Sequence, residues 1–315
     1  MEVVVVAVQT GFSFQSTDGV EIFASKWVKG SEDKPRAIVQ LAHGMAEHIM
    51  RYNRFARELV SNNIFVYGND HRGHGRTGNK TNSIGYFAKE QGFEKVVQDM
   101  QTLTTIIEKE NPDVPIFLFG HSMGSFLSRR YIQIFGDRLA GVILSGTGGD
   151  PGLLGKIGKM VASREKRTKG DRAPSPLMNN LTFGSYNKAF RPARTEFDWL
   201  SRDEQEVDLY LADPYCGGVF SSGFFHDLLL GLETINKPEN IRSVPSWLPI
   251  FLISGSNDPV GANSKGVIKT YQTYKQAGMA DVSYKLYEDA RHELLNELNR
   301  DEVYKDVVNW IHKHI

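Results

Sequence analysis

Short, near-continuously apolar runs recur along the chain, and segments with apolar residues three or four positions apart lie between them. The runs cover residues 37–42, 64–68, 115–119, 140–144 and 249–253, and a last strand is predicted at 282–287. A run without alternation is typical of a parallel strand that is covered on both faces. Helical spacing in 52–62, 94–109 and 125–135 separates the first four runs. The pattern therefore predicts an α/β fold with a mostly parallel, doubly wound sheet and helices on both faces.

The first part of the chain departs from this alternation. Two short apolar segments, 12–14 and 22–24, flank the turn signal Asp18-Gly19, which predicts an antiparallel hairpin before the parallel strands. The apolar run 3–8 is too short to span a membrane, and no basic residue precedes it as in a signal peptide. We expect this run to be a first strand or a disordered leader.

The strand–helix repeat stops after the fourth run. Residues 150–236 have helical patterns only, so we predict a helical cap insertion there, between a first core part, 1–149, and a second, 237–315. The insertion begins with a basic stretch. This stretch is a solvated helix face or a surface that contacts anionic membranes transiently. Its basic residues are Lys156, Lys159, Arg164, Lys166, Arg167, Lys169 and Arg172.

Composition narrows the class of protein. The 315 residues include 37 acidic and 37 basic side chains, so no net charge attracts the chain to nucleic acid. The single cysteine, Cys216, has no second thiol for an internal disulfide, which is compatible with a reducing compartment. We therefore expect a cytoplasmic protein, peripheral to a membrane if the basic stretch docks. The oligomeric state is left open.

The motif Gly120-His121-Ser122-Met123-Gly124 is the strongest local signal for chemistry. It follows the apolar run that ends at residue 119 and precedes a helical segment. G-x-S-x-G in a strand–turn–helix context is the nucleophile elbow of α/β-hydrolases, where small neighbours allow the tight turn. The alternative is a glycine-rich loop with a helix-capping serine. The context predicts that Ser122 is a nucleophile.

A serine needs a base and an acid, and in this fold they follow it in the order Ser, Asp, His. Asp258 comes just after the run 249–253, and His292 lies in the loop after the last predicted strand, 282–287. Binding groups gather at the carboxyl ends of parallel strands. We predict Asp258 as the acid, His292 as the base. Three other carboxylates flank the histidine in sequence and cannot easily turn back onto its ring: Glu288, Asp289 and Glu293.

An oxyanion hole requires two backbone N–H groups. The residue after the nucleophile, Met123, supplies one, and we expect Met45 in the loop 43–48 to supply the other. Gly44 would let the backbone approach the substrate. The rival hypothesis, a metal site at His43 and His48, lacks a third ligand. No metal and no cofactor are predicted.

These motifs together resemble the monoglyceride lipase and lysophospholipase branch of the α/β-hydrolase superfamily. The resemblance covers most of 10–315 and is weakest in the insertion. It implies an eight-stranded sheet, a helical cap after the sixth strand, and the triad. The matching pieces are Thr17-Asp18-Gly19, Lys26-Trp27, His43 to His48, Arg51-Tyr52, Asp70 to Gly75, Gly120 to Gly124, Asp258-Pro259-Val260 and Arg291-His292-Glu293.

The resemblance also implies a substrate, the ester of a single-chain lipid such as a monoacylglycerol or lysophospholipid. The cap would then cover the acyl chain. Cys216 either lies near the channel, because Asp213-Pro214-Tyr215-Cys216 resembles the cap segment of monoglyceride lipases, or is a small buried apolar residue. The residues predicted to contact substrate are Gly44, His121, Cys216, Phe220 and Phe224.

Three other functions are compatible with this fold. An acyltransferase would pass the acyl group to an acceptor other than water, and an aminopeptidase-like or small-ester hydrolase would use the same triad. A binding protein that keeps only the fold is the third, and the complete Ser, Asp, His set argues against it.

Overall fold

One eight-stranded sheet organises the chain, and the computed structural model describes residues 7–30 and 34–315. The strand order is β1-β2-β4-β3-β5-β6-β7-β8. β1 and β2 form the predicted antiparallel hairpin, β2 also pairs antiparallel with β4, and the other pairs are parallel. The strands are β1 Val8–Gln15, β2 Glu21–Val28, β3 Ala37–Ala42, β4 Ile64–Asn69, β5 Ile116–His121, β6 Gly141–Ser145, β7 Ile250–Gly255 and β8 Val282–Tyr287.

The predicted mostly parallel α/β sheet is confirmed. All five apolar runs and the predicted last strand, 282–287, are strands, and β3 to β7 are buried at every position. Of the run 3–8, residues 3–6 lie outside the described part, and Val8 is the first residue of β1.

Helices cover both faces of the sheet. One face packs against α1 and α11, and the other packs against α3, α4, α8 and α10. The helices are α1 Asn53–Ser61, α2 Gly75–Lys80, α3 Gly92–Glu110, α4 Met123–Phe135, α5 Gly152–Lys169, α6 Pro176–Phe183, α7 Glu204–Ala212, α8 Ser222–Ile235, α9 Pro238–Arg242, α10 Lys265–Gln276 and α11 Arg300–Lys313.

Strand β3 illustrates why the runs lack alternation. Successive side chains point to opposite faces, so Ile38 enters one apolar core and Val39 the other. The one polar residue in this strand, Gln40, is buried and satisfied. Its amide donates to the Met100 carbonyl at 2.8 Å, and its oxygen accepts from the Thr104 hydroxyl at 2.7 Å. Burial on both faces therefore removes the polar positions, except where a helix offers hydrogen bonds.

The segment between β6 and β7 contains helices α5 to α9 and a 3-10 turn, Tyr186–Phe190. Helix α5 lies on α8, and Lys159 forms an ion pair with Glu233 across them. Helix α8 itself belongs to the main core, because Phe224 and Phe225 are fully buried in the same cluster as α3 and α4. None of the described helices is both long and apolar enough to cross a membrane.

Candidate active site

Ser122 stands on a sharp turn between β5 and α4. Its backbone is left-handed, with φ 53° and ψ −120°, which is strained for a residue with a side chain. The Ser122 amide donates to the Ser145 carbonyl at 2.9 Å and fixes the turn on the neighbouring strand. The two glycines of the motif are required because neighbouring backbone lies too close for a side chain. A Cβ on Gly120 would lie 2.4 Å from the Gly124 carbonyl oxygen, and one on Gly124 would lie 2.0 Å from that of Ala42.

Asp258 and His292 form a fully buried pair beside this turn. Asp258 follows β7, and both of its carboxylate oxygens lie 3.0 Å from Nδ1 of His292. The Val260 amide donates to one of these oxygens at 2.9 Å, and the Ser254 hydroxyl donates to the other at 3.2 Å. The carboxylate is therefore held in place and aimed at the imidazole.

The contact between Asp258 and His292 shifts the pKa of both side chains. Burial acts to raise the pKa of Asp258, but the charge and hydrogen bond of His292 outweigh it, so that pKa lies below its usual value. Burial acts to lower the pKa of His292, but Asp258 outweighs it, and that pKa lies above its usual value. The arrangement therefore stabilises an imidazolium, and it fixes the tautomer with the proton on Nδ1.

Ser122 and His292 line the same cavity, of about 490 Å³. Because Nδ1 of His292 is bonded to Asp258, Nε2 is the nitrogen left to take a proton. Among the described residues, no hydrogen bond joins the Ser122 hydroxyl to that nitrogen. Such bonds are often long before substrate binds. Trp199 and His121 pack on the imidazole with ring centroids 5.1 and 4.7 Å away.

The two backbone N–H groups predicted for the oxyanion hole have no acceptor in the described part of the chain. Met123 is the first residue of α4, where the N–H has no intrahelical partner. Met45 lines the cavity in the loop after β3. The neighbouring Gly44 amide is engaged, since it donates to Oε1 of Glu47 at 2.6 Å. A Cβ on Gly44 would lie 2.7 Å from that oxygen, which explains the glycine.

The other carboxylates near His292 in the sequence do not contact its ring. Arg51 holds Glu293 through two bonds, of 2.6 and 2.8 Å, and lies 2.9 Å from Glu47. Burial acts to raise the pKa of Glu293, but Arg51 outweighs it and lowers this pKa to about 2. Glu288 and Asp289 are exposed. Of the four carboxylates near His292, Asp258 is the one bonded to its ring.

The histidines of the loop 43–48 are also engaged. His43 donates from Nδ1 to the Gly44 carbonyl at 2.8 Å, and its Nε2 accepts the His71 amide at 2.9 Å. It has no nitrogen left for a metal. His48 lies 2.8 Å from Asp213, and Cys216 completes a set whose ligand atoms all lie within 4.8 Å of one another. Burial raises the pKa of the Cys216 thiol.

The residues predicted to contact substrate divide into two groups. Gly44 and His121 line the cavity. Phe220 and Phe224 do not line it in the described structure, so this prediction is corrected. Both are buried in the core, where their rings pack 4.7 and 5.9 Å from that of His74. Phe224 lies on α8 and Phe220 just before it, and α8 packs on α3 and α4.

Cys216 is likewise not a lining residue of this cavity. It packs against a small apolar cluster of Trp199, Leu200 and Tyr210, while the next residues, Gly217 and Gly218, reach the cavity. The thiol therefore packs in this cluster, and the cavity lining begins one residue further along the chain.

Sequence reasoning missed most of the cavity wall. This part of the wall comes from α6, α7 and the stretch between them, which has no clear periodicity. Its one sequence signal is the density of aromatic residues from 183 to 199. The missed lining residues include Asn179, Asn180, Phe183, Asn187, Lys188, Arg191, Thr195, Glu196, Phe197, Trp199, Leu200 and Tyr210.

Comparison with known proteins places the chain in a family. A family model described as serine aminopeptidase, S33, matches residues 33–299. A monoacylglycerol lipase of Mycolicibacterium smegmatis is 30% identical over 96% of this chain and 97% of its own. A monoglyceride lipase of Mus musculus is 29% identical over 95% of this chain and 89% of its own.

A solved structure gives the same answer for the fold. The thermostable carboxyl esterase of Bacillus coagulans, crystallised with glycerol, superposes with a TM-score of 0.90 at 29% identity, over 98% of this chain and 99% of its own. The chain belongs to the serine aminopeptidase S33 family, in the monoglyceride lipase branch of the α/β-hydrolase superfamily.

Proposed function

We propose that the chain hydrolyses the carboxylic ester of a single-chain lipid, a monoacylglycerol or a lysophospholipid, through an acyl-enzyme on Ser122. The observation that carries the proposal is the buried Asp258–His292 pair, which lies beside a strained serine that opens into the same cavity. The names of the relatives, monoacylglycerol and monoglyceride lipases, support the same substrate class.

The mechanism follows from the atoms present. His292 takes the Ser122 proton on Nε2 as the hydroxyl oxygen attacks the ester carbonyl, and Asp258 stabilises the resulting imidazolium. The amides of Met45 and Met123 donate to the oxyanion. The C–O bond to the alcohol breaks as His292 returns the proton to the leaving oxygen. Water then attacks the acyl-enzyme by the same route and releases the fatty acid.

The cavity has a composition that suits a lipid ester. Its volume lies in the range of about 300–1,000 Å³ that is usual for small-molecule sites. Phe183, Phe197 and Leu200 supply apolar surface for a chain. Asn187 and Lys188 supply polar groups for the glycerol or head group. A single acyl chain with a small polar head fits this division.

Helix α5 supports the second part of the proposal, a transient contact with an anionic membrane surface. Its apolar side chains face solvent, with Leu153, Leu154 and Met160 exposed to 72%, 79% and 71%. Basic residues lie on the same helix, as in helices that bind membrane interfaces. With a single cysteine, the chain needs no oxidising compartment, and we propose that it acts in the cytoplasm at such a surface.

A substrate panel tests this function. Wild type, Ser122→Ala and the control Ser61→Ala, an exposed serine on α1, are assayed on monoacylglycerol, lysophosphatidylcholine, p-nitrophenyl esters and an aminoacyl amide. We expect ester turnover in wild type and the control, and a loss of several orders of magnitude in Ser122→Ala. Turnover of the amide without the esters would overturn the proposal in favour of a peptidase. Preferential acyl transfer to an added alcohol would instead favour a transferase.

A further inference from the structure

The cap is bonded to the loop that carries the Met45 amide. The Tyr210 hydroxyl, on α7, donates to the Ala46 carbonyl at 2.9 Å, and the Gly217 amide donates to the same oxygen at 3.1 Å. One residue past Glu47, His48 pairs with Asp213 at 2.8 Å. Three groups of one cap segment, 210–217, thus hold the residues that directly follow Met45.

The backbone at this point needs such support. Ala46 is left-handed, with φ 57°, a conformation that a non-glycine residue adopts at a cost. On the other side of Met45, His43 donates to the Gly44 carbonyl at 2.8 Å. Because the peptide unit is planar and trans, this bond orients the Met45 N–H in the opposite direction. The Met45 amide is therefore set from the core through His43 and from the cap through Tyr210.

Tyr210 is itself fixed. The Arg51 guanidinium lies 4.8 Å from the centre of its ring, and the Phe197 ring lies 5.1 Å away. Its hydroxyl also accepts the Gly217 amide at 3.1 Å, which closes a triangle with the Ala46 oxygen. Burial raises the pKa of Tyr210 well above its usual value, so the hydroxyl keeps the proton that it donates.

We propose that Tyr210, with Asp213 and Gly217, is a positioning element of the oxyanion hole. The hole is complete only when the cap segment 210–217 is seated on the loop 43–48, which ties the docking of the cap to catalysis. The inference rests on the proposed function for its kinetic consequence, whereas the contact between the cap and the loop is independent of it.

The test is Tyr210→Phe, which removes one hydroxyl and keeps the ring. Its matched control is Tyr86→Phe, because the Tyr86 hydroxyl also reaches the segment between β6 and β7, at Asp171, but lies outside the lining of the active-site cavity. We expect kcat of Tyr210→Phe to fall about 10- to 100-fold, with KM within about twofold. The control should keep wild-type kcat.

Two inhibitors distinguish a positioning role of Tyr210 from a direct contact with the substrate. A trifluoromethyl ketone with an alkyl chain forms a tetrahedral oxyanion on the serine, whereas a fatty alcohol of equal length does not. Tyr210→Phe should weaken the ketone by the same factor as kcat and leave the alcohol unchanged. Equal loss for both ligands, or a change in KM alone, would make Tyr210 a substrate-contact residue and overturn the proposal.

Hydrogen exchange tests the cap–loop contact without reference to activity. Peptides that cover 43–48 and 214–219 should exchange several-fold faster in Tyr210→Phe than in wild type or Tyr86→Phe. If wild type fails to turn over esters but this difference appears, the proposed function fails and the contact stands. If exchange is unchanged, the contact does not hold the loop, and the inference is wrong.

Substitutions at Asp213 test the same proposal if Tyr210→Phe fails to fold. Asp213→Ala removes the partner of His48, and Asp213→Asn keeps an oxygen that accepts a hydrogen bond from it. We expect Asp213→Ala to lower kcat and speed exchange at 43–48, and Asp213→Asn to restore both towards wild type. Equal behaviour of the two variants would contradict a positioning role for this bond.

Discussion

The carboxylate of Asp258 lies 3.0 Å from Nδ1 of His292 through each of its two oxygens, with both side chains buried. This contact joins the ends of two neighbouring strands, β7 and β8, and leaves Nε2 of the imidazole for the nucleophile. It is the relationship on which the first two predictions depend.

Asp258→Asn should lower kcat by about 10³- to 10⁴-fold with little change in stability. The amide keeps the shape of the side chain but favours the wrong imidazole tautomer and cannot stabilise the imidazolium. Steady-state kinetics on a monoacylglycerol measure the loss. Asp289→Asn, at an exposed position in the loop that carries His292, is the control and should retain wild-type kcat. A drop of less than tenfold in Asp258→Asn would show that another group orients the base.

The rate should rise with pH through a single ionisation that lies above the usual value of 6.5 for histidine. His292 must be neutral to take a proton, and Asp258 raises its pKa, so acid inactivates the enzyme by protonating the base. A profile of log kcat/KM against pH measures the inflection. In Asp258→Asn, burial acts without the carboxylate, and the inflection should move to lower pH. A wild-type inflection below 6.5, or one that does not move, would contradict the pairing.

Arg51→Met should destabilise the fold by about 3–5 kcal/mol near neutral pH. The substitution leaves the buried carboxylates of Glu47 and Glu293 without their cation. Urea unfolding measures the change. Arg54→Met is the matched control, because Arg54 is half-exposed in its pair with Glu206 and should cost at most about 1 kcal/mol.

The same variant has a defined pH dependence. The pKa of Glu293 is lowered to about 2, so its pairing with Arg51 stabilises the fold above about pH 4.5 and is lost as the pH falls towards 2. The gap between wild type and Arg51→Met should therefore narrow over that window. A gap that stays constant down to the acid transition would mean that Arg51 acts through packing alone.

Phe224→Ala and Phe183→Ala should separate core from cavity. Phe224 is fully buried, and its loss should cost about 3–5 kcal/mol with KM unchanged. Phe183 lines the cavity, and its loss should raise KM with a smaller change in stability. Thermal unfolding and kinetics on the same preparations decide the matter. The reverse pattern would restore Phe224 to the substrate site.

Glutamate at Leu153 and Leu154 should abolish sedimentation with vesicles that contain phosphatidylglycerol, because it places charge on the exposed face of α5. Hydrolysis of a water-soluble p-nitrophenyl ester should not change. Leu298→Glu is the control, since Leu298 is 64% exposed outside this helix. Vesicle binding that survives the double substitution would exclude α5 as the contact surface.

The strands and the meeting of Asp258 with His292 could be predicted from the sequence because both depend on local rules. A strand buried on both faces must be apolar throughout, and groups at the carboxyl ends of parallel strands must share one edge. Asp258 and His292 were therefore placed by counting strands, without knowledge of any contact.

The rest of the site depends on contacts that no local rule supplies. The apolar face of α8 predicts burial but does not say which surface it covers, so Phe220 and Phe224 were assigned to the wrong wall. Arg51 and Glu293 lie 242 residues apart along the chain, and neither charge signals a partner in the sequence. The cap residues that face the cavity have no period, because each meets a different neighbour.

Covalent labelling tests the central claim most directly. The folded protein is treated with an alkyl fluorophosphonate, and the modified peptide is identified by mass spectrometry. The account predicts one adduct, on Ser122, that is absent in Ser122→Ala and forms at least about 10³-fold more slowly in His292→Ala. No adduct on folded protein, or an adduct on another residue, would contradict it.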